Sequence, residues 1–358
     1  MPSLRQNRPR PGRSAGGFDL QEGRLSKAYR ARLVQAATVL SAWATESGVC
    51  LVSCSSDPSL MSEILIRFVQ DLFEAGAAVW LGTHAILSCQ TRWRHLKNRL
   101  RGAWDSIASW NQLKPVRSRT PLPAVLLEAI VRFSVFAAVA LEPWKAVIWW
   151  PFGVAMMTAF HGLLRPGELW KLRRCDVRVP GTRSLLAAPI VVLTIREPKN
   201  RHFAGRLQVR SIREPEVISW ISWLLEGAAP ETLLWPHGPR TFRLCLEQAL
   251  RFFGLAHLSL TPASLRAGGA THLFEVGASI SAIRFAGSWS SERVLSHYLQ
   301  EAEAAATLLD VDEPTARFVH TFVRTLGFAA KPPEQQWKDI VRTWTSQRFN
   351  GRLPFSAT

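Results

Sequence analysis

The chain has 358 residues, of which 47% are hydrophobic, including 15 Trp and 18 Phe. This length and apolar content exclude a disordered or fibrous chain and predict a globular protein of two domains. The 44 Lys and Arg against 27 Asp and Glu give a net charge of +17, which predicts a polyanionic partner, nucleic acid before membrane. Five scattered cysteines without zinc-site spacing argue against a disulfide framework or structural metal, and favour an intracellular compartment, the nucleus in a eukaryotic host.

The first 113 residues divide into an arm and a helical region. Residues 1–17 carry four arginines among prolines and glycines, with no apolar segment behind them. This composition predicts a disordered basic arm rather than a secretory signal; an arm for nuclear import or nucleic-acid contact is the alternative. Residues 18–113 repeat apolar side chains at the helical period, so we expect a helical N-terminal domain there.

A basic segment and a linker close this first half. Cations interleaved with tryptophans predict a basic helix at 92–101 that contacts nucleic-acid phosphates; the cations are Arg92, Arg94, Lys97, Arg99 and Arg101. The Pro-rich stretch 114–123 lacks an apolar period and is predicted to be an interdomain linker. Its cations complete the predicted phosphate-contacting set of this half: Lys114, Arg117 and Arg119.

The second domain is predicted at 124–310, helical apart from one β-hairpin. The nineteen uncharged residues 146–164 reach the length of a bilayer span. Their proline, glycines and histidine, and the lack of a partner span, favour a buried core helix instead. The β-rich runs 190–195 and 206–212 predict the hairpin. Residues 311–358 form a predicted helical tail that packs on its own domain or on a neighbouring protomer.

Arg165 stands at a predicted junction between two helices. Pro166 disfavours the helical conformation for the residue before it and suits the first position of a new helix. Glu168, three residues after Arg165, can reach back to the free N–H at that start. The spacing therefore predicts an arginine fixed at the break, the alternative being a capped helix start with a solvated arginine.

A second arginine, Arg266, lies in the first turns of a later predicted helix. Thr261 is its expected N-cap and Pro262 its first residue. A helix start favours a bound phosphate, and two arginines converging on one phosphate give bidentate, charge-assisted hydrogen bonds. We expect this helix to end near Gly277.

Tyr298 follows Trp289 by 9 residues and Arg266 by 32. We expect it on the last helix of the domain, on a face shared with apolar side chains, so a packing role in the core is the alternative for both aromatic residues. Tyr29 is the only other tyrosine, and no arginine motif lies near it.

These motifs resemble the active site of the tyrosine recombinases, the phage-integrase family. The matching residues are Arg165-Pro166-Gly167-Glu168-Leu169, Leu265-Arg266-Ala267-Gly268-Gly269-Ala270-Thr271 and Gly287-Ser288-Trp289 with Tyr298. The resemblance covers about residues 20–310 and is closest in style to proteins of eukaryotic mobile elements. It implies a mainly α fold with a small β-hairpin or sheet (α+β): a helical, core-binding-like N-terminal domain and an integrase-like catalytic domain.

The resemblance also implies a function: a site-specific recombinase or integrase that cuts and rejoins double-stranded DNA for a mobile element. Tyr298 would form a 3′-phosphotyrosine intermediate. Arg165 and Arg266 would stabilise the charge of the transition state, with Glu168 as structural support. Trp289 would pack against the phosphate or donate a hydrogen bond to it.

The hairpin turn supplies the remaining implied groups. Lys199 would protonate the leaving 5′ oxygen, with Arg196 and Arg201 as rivals, and Arg201 is also a predicted DNA contact. Neither a metal nor a nucleotide cofactor is implied, since the sequence has no ligand cluster or Walker-type loop. Self-association on DNA is expected, and no membrane partner.

One position departs from the family pattern. Tyrosine recombinases usually carry histidine, sometimes lysine, three residues before the second arginine, where this chain has Ala263. Losing one phosphate-site donor costs on the order of 10²–10³ in rate, so an impaired enzyme is expected. His272 lies on the same helix but points elsewhere by its spacing. An element-derived DNA-binding protein that no longer cleaves, and a topoisomerase, remain the alternatives.

Overall fold

The computed structural model describes residues 27–114, 120–140, 143–180, 188–198, 207–296 and 298–325. The chain divides into two compact units, 1–117 and 118–358. Several predicted features lie outside the described residues: the arm 1–17, Arg117 and Arg119 of the linker, Lys199 and Arg201 of the hairpin turn, and the tail beyond residue 325.

The first unit is helical. Asp57 caps its third helix by accepting the Ser59 N–H at 2.8 Å, and Pro58 takes the first helical position. The first helix packs on the fourth and the third on the fifth, around buried side chains such as Leu40 and Phe68. The helices are α1 (Lys27–Glu46), α2 (Leu51–Cys54), α3 (Pro58–Glu74), α4 (Val79–Arg92) and α5 (Arg101–Leu113).

The basic segment 92–101, called the connector below, runs from the last residue of α4 to the first residue of α5, so its prediction as one helix was wrong. It holds only a single 3-10 turn, Arg94–Leu96, because the chain reverses at Asn98, which has a φ of 63°. Leu96 and Leu100 are fully buried and anchor the connector to the core.

The second unit is built around two long helices. Its helices are α6 (Ala124–Ala140), α7 (Pro143–His161), α8 (Pro166–Leu169), α9 (Pro215–Leu224), α10 (Gly238–Phe252), α11 (Ser264–Glu275), α12 (Ile280–Gly287), α13 (Glu292–Ser296), α14 (Glu301–Leu309) and α15 (Glu313–Thr325). All fifteen residues 146–160 of α7 are buried, against α6, α9 and α11. Within the described ranges, no helix combines the length and apolar character needed to cross a membrane.

A small antiparallel sheet interrupts the helices. Its strands, in the order β1-β2-β3, are β1 (Val177–Arg178), β2 (Val191–Ile195) and β3 (Gln208–Ile212). β2 and β3 form the predicted hairpin, with Val191 opposite Ile212 and Ile195 opposite Gln208. The two-residue strand β1 is too short to leave an alternating pattern, and the sequence did not predict it.

The described part of the tail packs on its own unit. Val319 of α15 is buried, and the rings of Phe318 and Phe322 contact Phe252 and Phe253 at the end of α10. Up to residue 325, the tail therefore contacts its own unit.

Candidate active site

Arg165 lies at the break between α7 and α8. Its φ of −71° and ψ of 147° are extended, as expected before proline. The Glu168 carboxylate accepts the Arg165 backbone N–H at 2.9 Å and its Nη1 at 2.7 Å. The Glu168 side chain is only 4% exposed, so one buried carboxylate caps the helix and orients the arginine.

Arg266 is buried in the first turn of α11. It donates from Nη1 to the Leu163 carbonyl and from Nη2 to the Gly287 carbonyl at 2.8 Å. Its Nη1 also lies 4.0 Å from Glu168 Oε2. The same carboxylate therefore stands between Arg165 and Arg266.

Two glycines after Arg266 allow the helix to reach this position. A Cβ on Gly269 would lie 2.1 Å from the Phe160 carbonyl oxygen of α7, and one on Gly268 would lie 2.1 Å from the Leu122 carbonyl oxygen. Side chains cannot occupy these sites without moving backbone. The Leu122 N–H also donates to the Ser264 carbonyl at 3.0 Å. The Gly-Gly pair thus sets the depth at which α11, and with it Arg266, enters the unit.

The start of α11 differs from the prediction. The helix begins at Ser264, after a turn at 262–263, so Thr261 is not its N-cap. Instead the Ser264 hydroxyl accepts the Thr261 N–H at 3.1 Å. The helical part ends at Glu275, with Gly277 at a φ of 86° close behind, as predicted.

A tight turn brings Trp289 onto Arg266. α12 ends at Gly287, and Ser288 adopts left-handed φ and ψ of 50°. A Cβ on Gly287 would lie 1.7 Å from the Trp289 ring, so only glycine leaves room for that ring. The buried ring lies under the Arg266 guanidinium, with 4.3 Å from Cζ to the ring centroid.

Tyr298 lies beside both residues. Its ring centroid is 5.1 Å from that of Trp289 and 5.4 Å from Arg266 Cζ. The predicted helical position of Tyr298 was wrong, because α13 ends at Ser296. The Thr271 hydroxyl of α11 donates to the Tyr298 carbonyl at 3.1 Å, so the helix that carries Arg266 also holds the tyrosine segment.

Arg210 of β3 is a member of the site that the sequence did not predict. It is 2% exposed and donates to the Ser288 hydroxyl, to Gly287 O at 3.0 Å and to Gln208 Oε1 at 3.1 Å. The strand turns Gln208, Arg210 and Ile212 inward and leaves Val209 exposed. A buried arginine on the inward face of a strand is the opposite of the usual pattern.

The site carries excess positive charge. Arg165, Arg210 and Arg266 surround the single carboxylate of Glu168. Burial is the main cause that lowers the pKa of Arg210 to about 10; the Glu168 charge opposes this shift and the Arg165 charge adds to it. Burial, followed by the Arg165 charge, also lowers the pKa of Arg266. Both shifts mean that a negative group entering the site would relieve unfavourable charge.

Unpaired donors accompany this charge. Within the described part of the chain, three buried N–H groups of the site have no hydrogen-bond acceptor: Arg210 Nε, Arg266 Nε and Trp289 Nε1. Buried donors without acceptors are unusual in folded proteins. Three fixed arginines around one carboxylate are suited to binding an anion with several oxygens, such as a phosphodiester.

Three other described residues that the sequence considered for the site lie outside this cluster. Ala263, just before α11, brings only a methyl group, and His272 turns to the rings of Phe160 and His161. Arg196, a rival of Lys199, is ion-paired with Asp176. Among the described residues, no group of three or more His, Cys, Asp or Glu side chains could hold a metal ion.

The predicted DNA contacts that the structure describes in the first unit are solvent-exposed. The cations of the connector project from the buried anchors Leu96 and Leu100; they are Arg92, Arg94, Lys97, Arg99 and Arg101. Arg92 lies over the Trp93 ring at 5.0 Å. Lys114, also exposed, lies 4.2 Å from the centroid of the Phe73 ring.

Two solved structures are similar to this chain. The Tn1549 transposon integrase in complex with transposon right-end DNA has 13% sequence identity and a TM-score of 0.50, covering 81% of this chain and 96% of that one. The XerH site-specific recombinase bound to its palindromic difH substrate has 15% identity and a TM-score of 0.47, covering 71% and 73%. No protein-family model matches the chain, and a search of curated proteins found no match.

The predicted fold class is confirmed. The described residues form a mainly helical chain with one small antiparallel sheet, as in the integrase-like fold of the Tn1549 protein. At such low identity, the likeness establishes the fold and leaves the chemistry to the site itself.

Proposed function

We propose that this chain is a tyrosine recombinase that cuts and rejoins duplex DNA at specific sites through a 3′-phosphotyrosine. One observation carries the proposal. The Arg266 guanidinium lies against the rings of both Trp289 and Tyr298, and 4.0 Å from the carboxylate that holds Arg165. Four residues from three separate sequence motifs thus meet at one buried, positively charged point.

The chemistry follows from that arrangement. The phenol oxygen of Tyr298 attacks the phosphorus, the phenol proton leaves to solvent, and the bond from phosphorus to the 5′ oxygen breaks. Arg165 and Arg266 bind the non-bridging oxygens and stabilise the extra charge of the transition state. Trp289 packs against the phosphate or donates its free indole N–H. A 5′-hydroxyl from another strand then reverses the step and releases the tyrosine.

The remaining roles in the proposal concern the rest of the DNA. Lys199 protonates the departing 5′ oxygen, and Arg201 contacts the backbone beside it. The exposed connector cations of the first unit bind phosphates without reading sequence. Recombination joins two DNA sites, so we also propose self-association on DNA, in the setting of a eukaryotic mobile element.

The fold supports this proposal, because the Tn1549 integrase shares it and was solved in complex with transposon DNA. Support for the chemistry comes instead from the excess charge, the free donors and the aromatic contacts of Arg266.

A second candidate is a DNA-binding protein derived from such an enzyme that no longer cleaves. The observation in its favour is Ala263, whose methyl group cannot donate to a phosphate or accept a proton. The two candidates predict the same DNA affinity and differ only in the covalent step.

The test is covalent capture on DNA. Full-length protein is incubated with a pool of end-labelled, nicked duplexes of randomised sequence, in which the nick prevents religation. A denaturing gel then resolves protein-bound label. We expect an adduct with wild type and with Tyr29→Phe, and none with Tyr298→Phe. Tyr29 is the matched control, since it is the only other tyrosine of the chain.

Two results would contradict the proposal. An adduct that persists in Tyr298→Phe would exclude Tyr298 as the nucleophile. Salt-sensitive binding without any adduct in wild type would favour the non-cleaving protein. Relaxation of supercoiled plasmid without exchange between duplexes would instead indicate a topoisomerase.

A further inference from the structure

Arg210 is a buried cation for which the proposed chemistry assigns no role. Its side chain reaches from β3 to the turn after α12, where it makes two of its three hydrogen bonds. All three acceptors are neutral: the Ser288 hydroxyl, the Gly287 carbonyl and the Gln208 amide oxygen. Burying a cation without a hydrogen-bonded carboxylate is unfavourable.

Packing alone does not account for an arginine here. An apolar side chain of similar length would fill the same space on the inward face of β3 without the cost of desolvating a charge. What an apolar side chain cannot supply is a planar fork of donors. That fork engages two consecutive residues, Gly287 and Ser288.

The Gly287 carbonyl is shared by two arginines. It accepts from Arg266 Nη2 at 2.8 Å and from Arg210 Nη2 at 3.0 Å. Its position therefore sets the orientation of the Arg266 guanidinium as well as the start of the turn. Both guanidinium groups are buried, so neither hydrogen bond has water as a ready substitute.

The same turn places Trp289. Ser288 holds the left-handed conformation, which side chains other than glycine, asparagine and aspartate seldom adopt. The Ser288 N–H bonds to the Phe285 carbonyl at 3.0 Å, while its hydroxyl accepts from Arg210. Arg210 thus braces the residue whose conformation directs the Trp289 ring onto Arg266.

We propose that Arg210, on β3, is a positioning residue that fixes the Gly287–Trp289 turn. By fixing this turn, it holds the Arg266 guanidinium and the Trp289 ring in the positions that bind the phosphate. The inference rests on the proposed function of this site. It adds to the site a residue from β3, the strand that follows Lys199 in the sequence. Arg210 itself does not touch the reacting atoms.

The variant Arg210→Lys separates the effect of the planar guanidinium donors from the effect of the positive charge. Arg210→Lys keeps a cation but has a single nitrogen, which cannot bond the Gly287 carbonyl and the Ser288 hydroxyl in the planar geometry of arginine. Arg210→Met removes both charge and donors at similar volume. Arg213→Lys is the matched control, because Arg213 lies just after the same strand and is exposed. Thermal unfolding by circular dichroism identifies which variants fold.

The first measurement uses full-length protein and the nicked duplex pool. We expect Arg210→Lys to lower the single-turnover rate of adduct formation about 10²-fold, since a small misplacement of a binding group has effects of this size. The DNA dissociation constant should stay close to that of wild type, because the exposed cations contact DNA phosphates whether or not Arg210 is changed. Arg213→Lys should leave the rate unchanged. An unchanged rate in folded Arg210→Lys would overturn the proposal.

The second measurement does not depend on cleavage. The indole N–H of Trp289 is buried and unpaired, and the ring that carries it contacts the Arg266 guanidinium and the Tyr298 ring, so its ¹⁵N-¹H resonance reports the turn. Its assignment comes from its loss in Trp289→Phe. We expect this resonance to shift in Arg210→Lys, with the other indoles in place, and not in Arg213→Lys.

The two measurements separate the possible failures. If wild type forms no adduct, the proposed function fails, and the indole resonance alone then decides whether Arg210 holds the turn. If the resonance stays in place in both Arg210→Lys and Arg210→Met, the positioning role is excluded whatever the activity.

Discussion

Two groups of cations differ sharply in their surroundings. Arg165, Arg210 and Arg266 are held by named acceptors inside the second unit, and the last two are each 2% exposed. The connector cations of the first unit, Arg92 to Arg101, all project into solvent. Both groups would meet phosphate under the proposed function, but under different physical conditions.

Under the proposed function, this difference would separate the residues that supply DNA affinity from those that supply the chemistry. Exposed cations increase DNA affinity because they release counterions from the DNA. This contribution depends on salt and changes little when any one side chain is displaced. Buried cations are screened little and are fixed before the anion arrives, so their effect depends on geometry. We therefore expect changes in the buried group to alter rates and changes in the exposed group to alter salt-dependent binding.

The largest expected effect is at Arg266. Arg266→Lys should lower the single-turnover rate of adduct formation by about 10²–10³, as for loss of one transition-state donor. It should also destabilise the second unit by about 1–3 kcal/mol, because a lysine cannot donate to both carbonyls, so Leu163 loses its buried donor or Gly287 loses one of its two. Assays on nicked DNA measure the rate of adduct formation, and urea unfolding measures the loss of stability. Arg251→Lys, at an exposed arginine of α10, is the control; equal rates in both variants would contradict the prediction.

An intermediate effect is expected at Gly287. The Cβ of Gly287→Ala would meet the Trp289 ring at 1.7 Å, so we expect overpacking to destabilise the unit by about 1–3 kcal/mol. Gly167→Ala is the matched control, since nothing lies within 4 Å of its added Cβ. Urea unfolding of both variants checks the difference. A Gly287→Ala protein as stable as Gly167→Ala would mean that the Trp289 ring is free to move.

The smallest effect is expected in the connector. Replacing Arg94, Lys97 and Arg99 together by Gln should weaken DNA binding about tenfold at moderate salt and lower the slope of log Kd against log salt by about 0.9 for each lost phosphate contact. Fluorescence anisotropy across a salt series measures both. The single-turnover rate at saturating DNA should not change. A lowered rate would contradict the expectation that the exposed cations affect only binding. The charge-matched control replaces Arg240, Arg243 and Arg251 of α10 by Gln.

Local patterns predicted much of this fold. The helix starts at Asp57-Pro58 and Arg165-Pro166 and the β2–β3 hairpin follow from capping, proline geometry and period-two patterning, which act within a few residues. The fold class followed from the resemblance of the motifs, and the structure confirms it.

Arg210 was not predictable because the alternation of β3 is ambiguous. Val209 and Ile212 are three residues apart and so fall on opposite faces of the strand. Period two therefore does not decide which face is buried. The Gly287 carbonyl and the Ser288 hydroxyl, which are distant in sequence, accept hydrogen bonds from Arg210 and stabilise its inward orientation.

Tyr298 illustrates a different limit. Its spacing from Leu295 fits a helix, yet the chain leaves the helix before it. The Thr271 hydroxyl, 27 residues away, bonds the Tyr298 carbonyl there. A tertiary hydrogen bond of this kind leaves no periodic trace in the sequence.

The close approach of Leu122 to α11 has a mechanical consequence. Leu122 is bonded to Ser264 and occupies the space that a side chain at Gly268 would need, only a few residues after the chain leaves the first unit. A displacement of the chain at Leu122 would therefore act directly on Ser264 in the first turn of α11, two residues before Arg266.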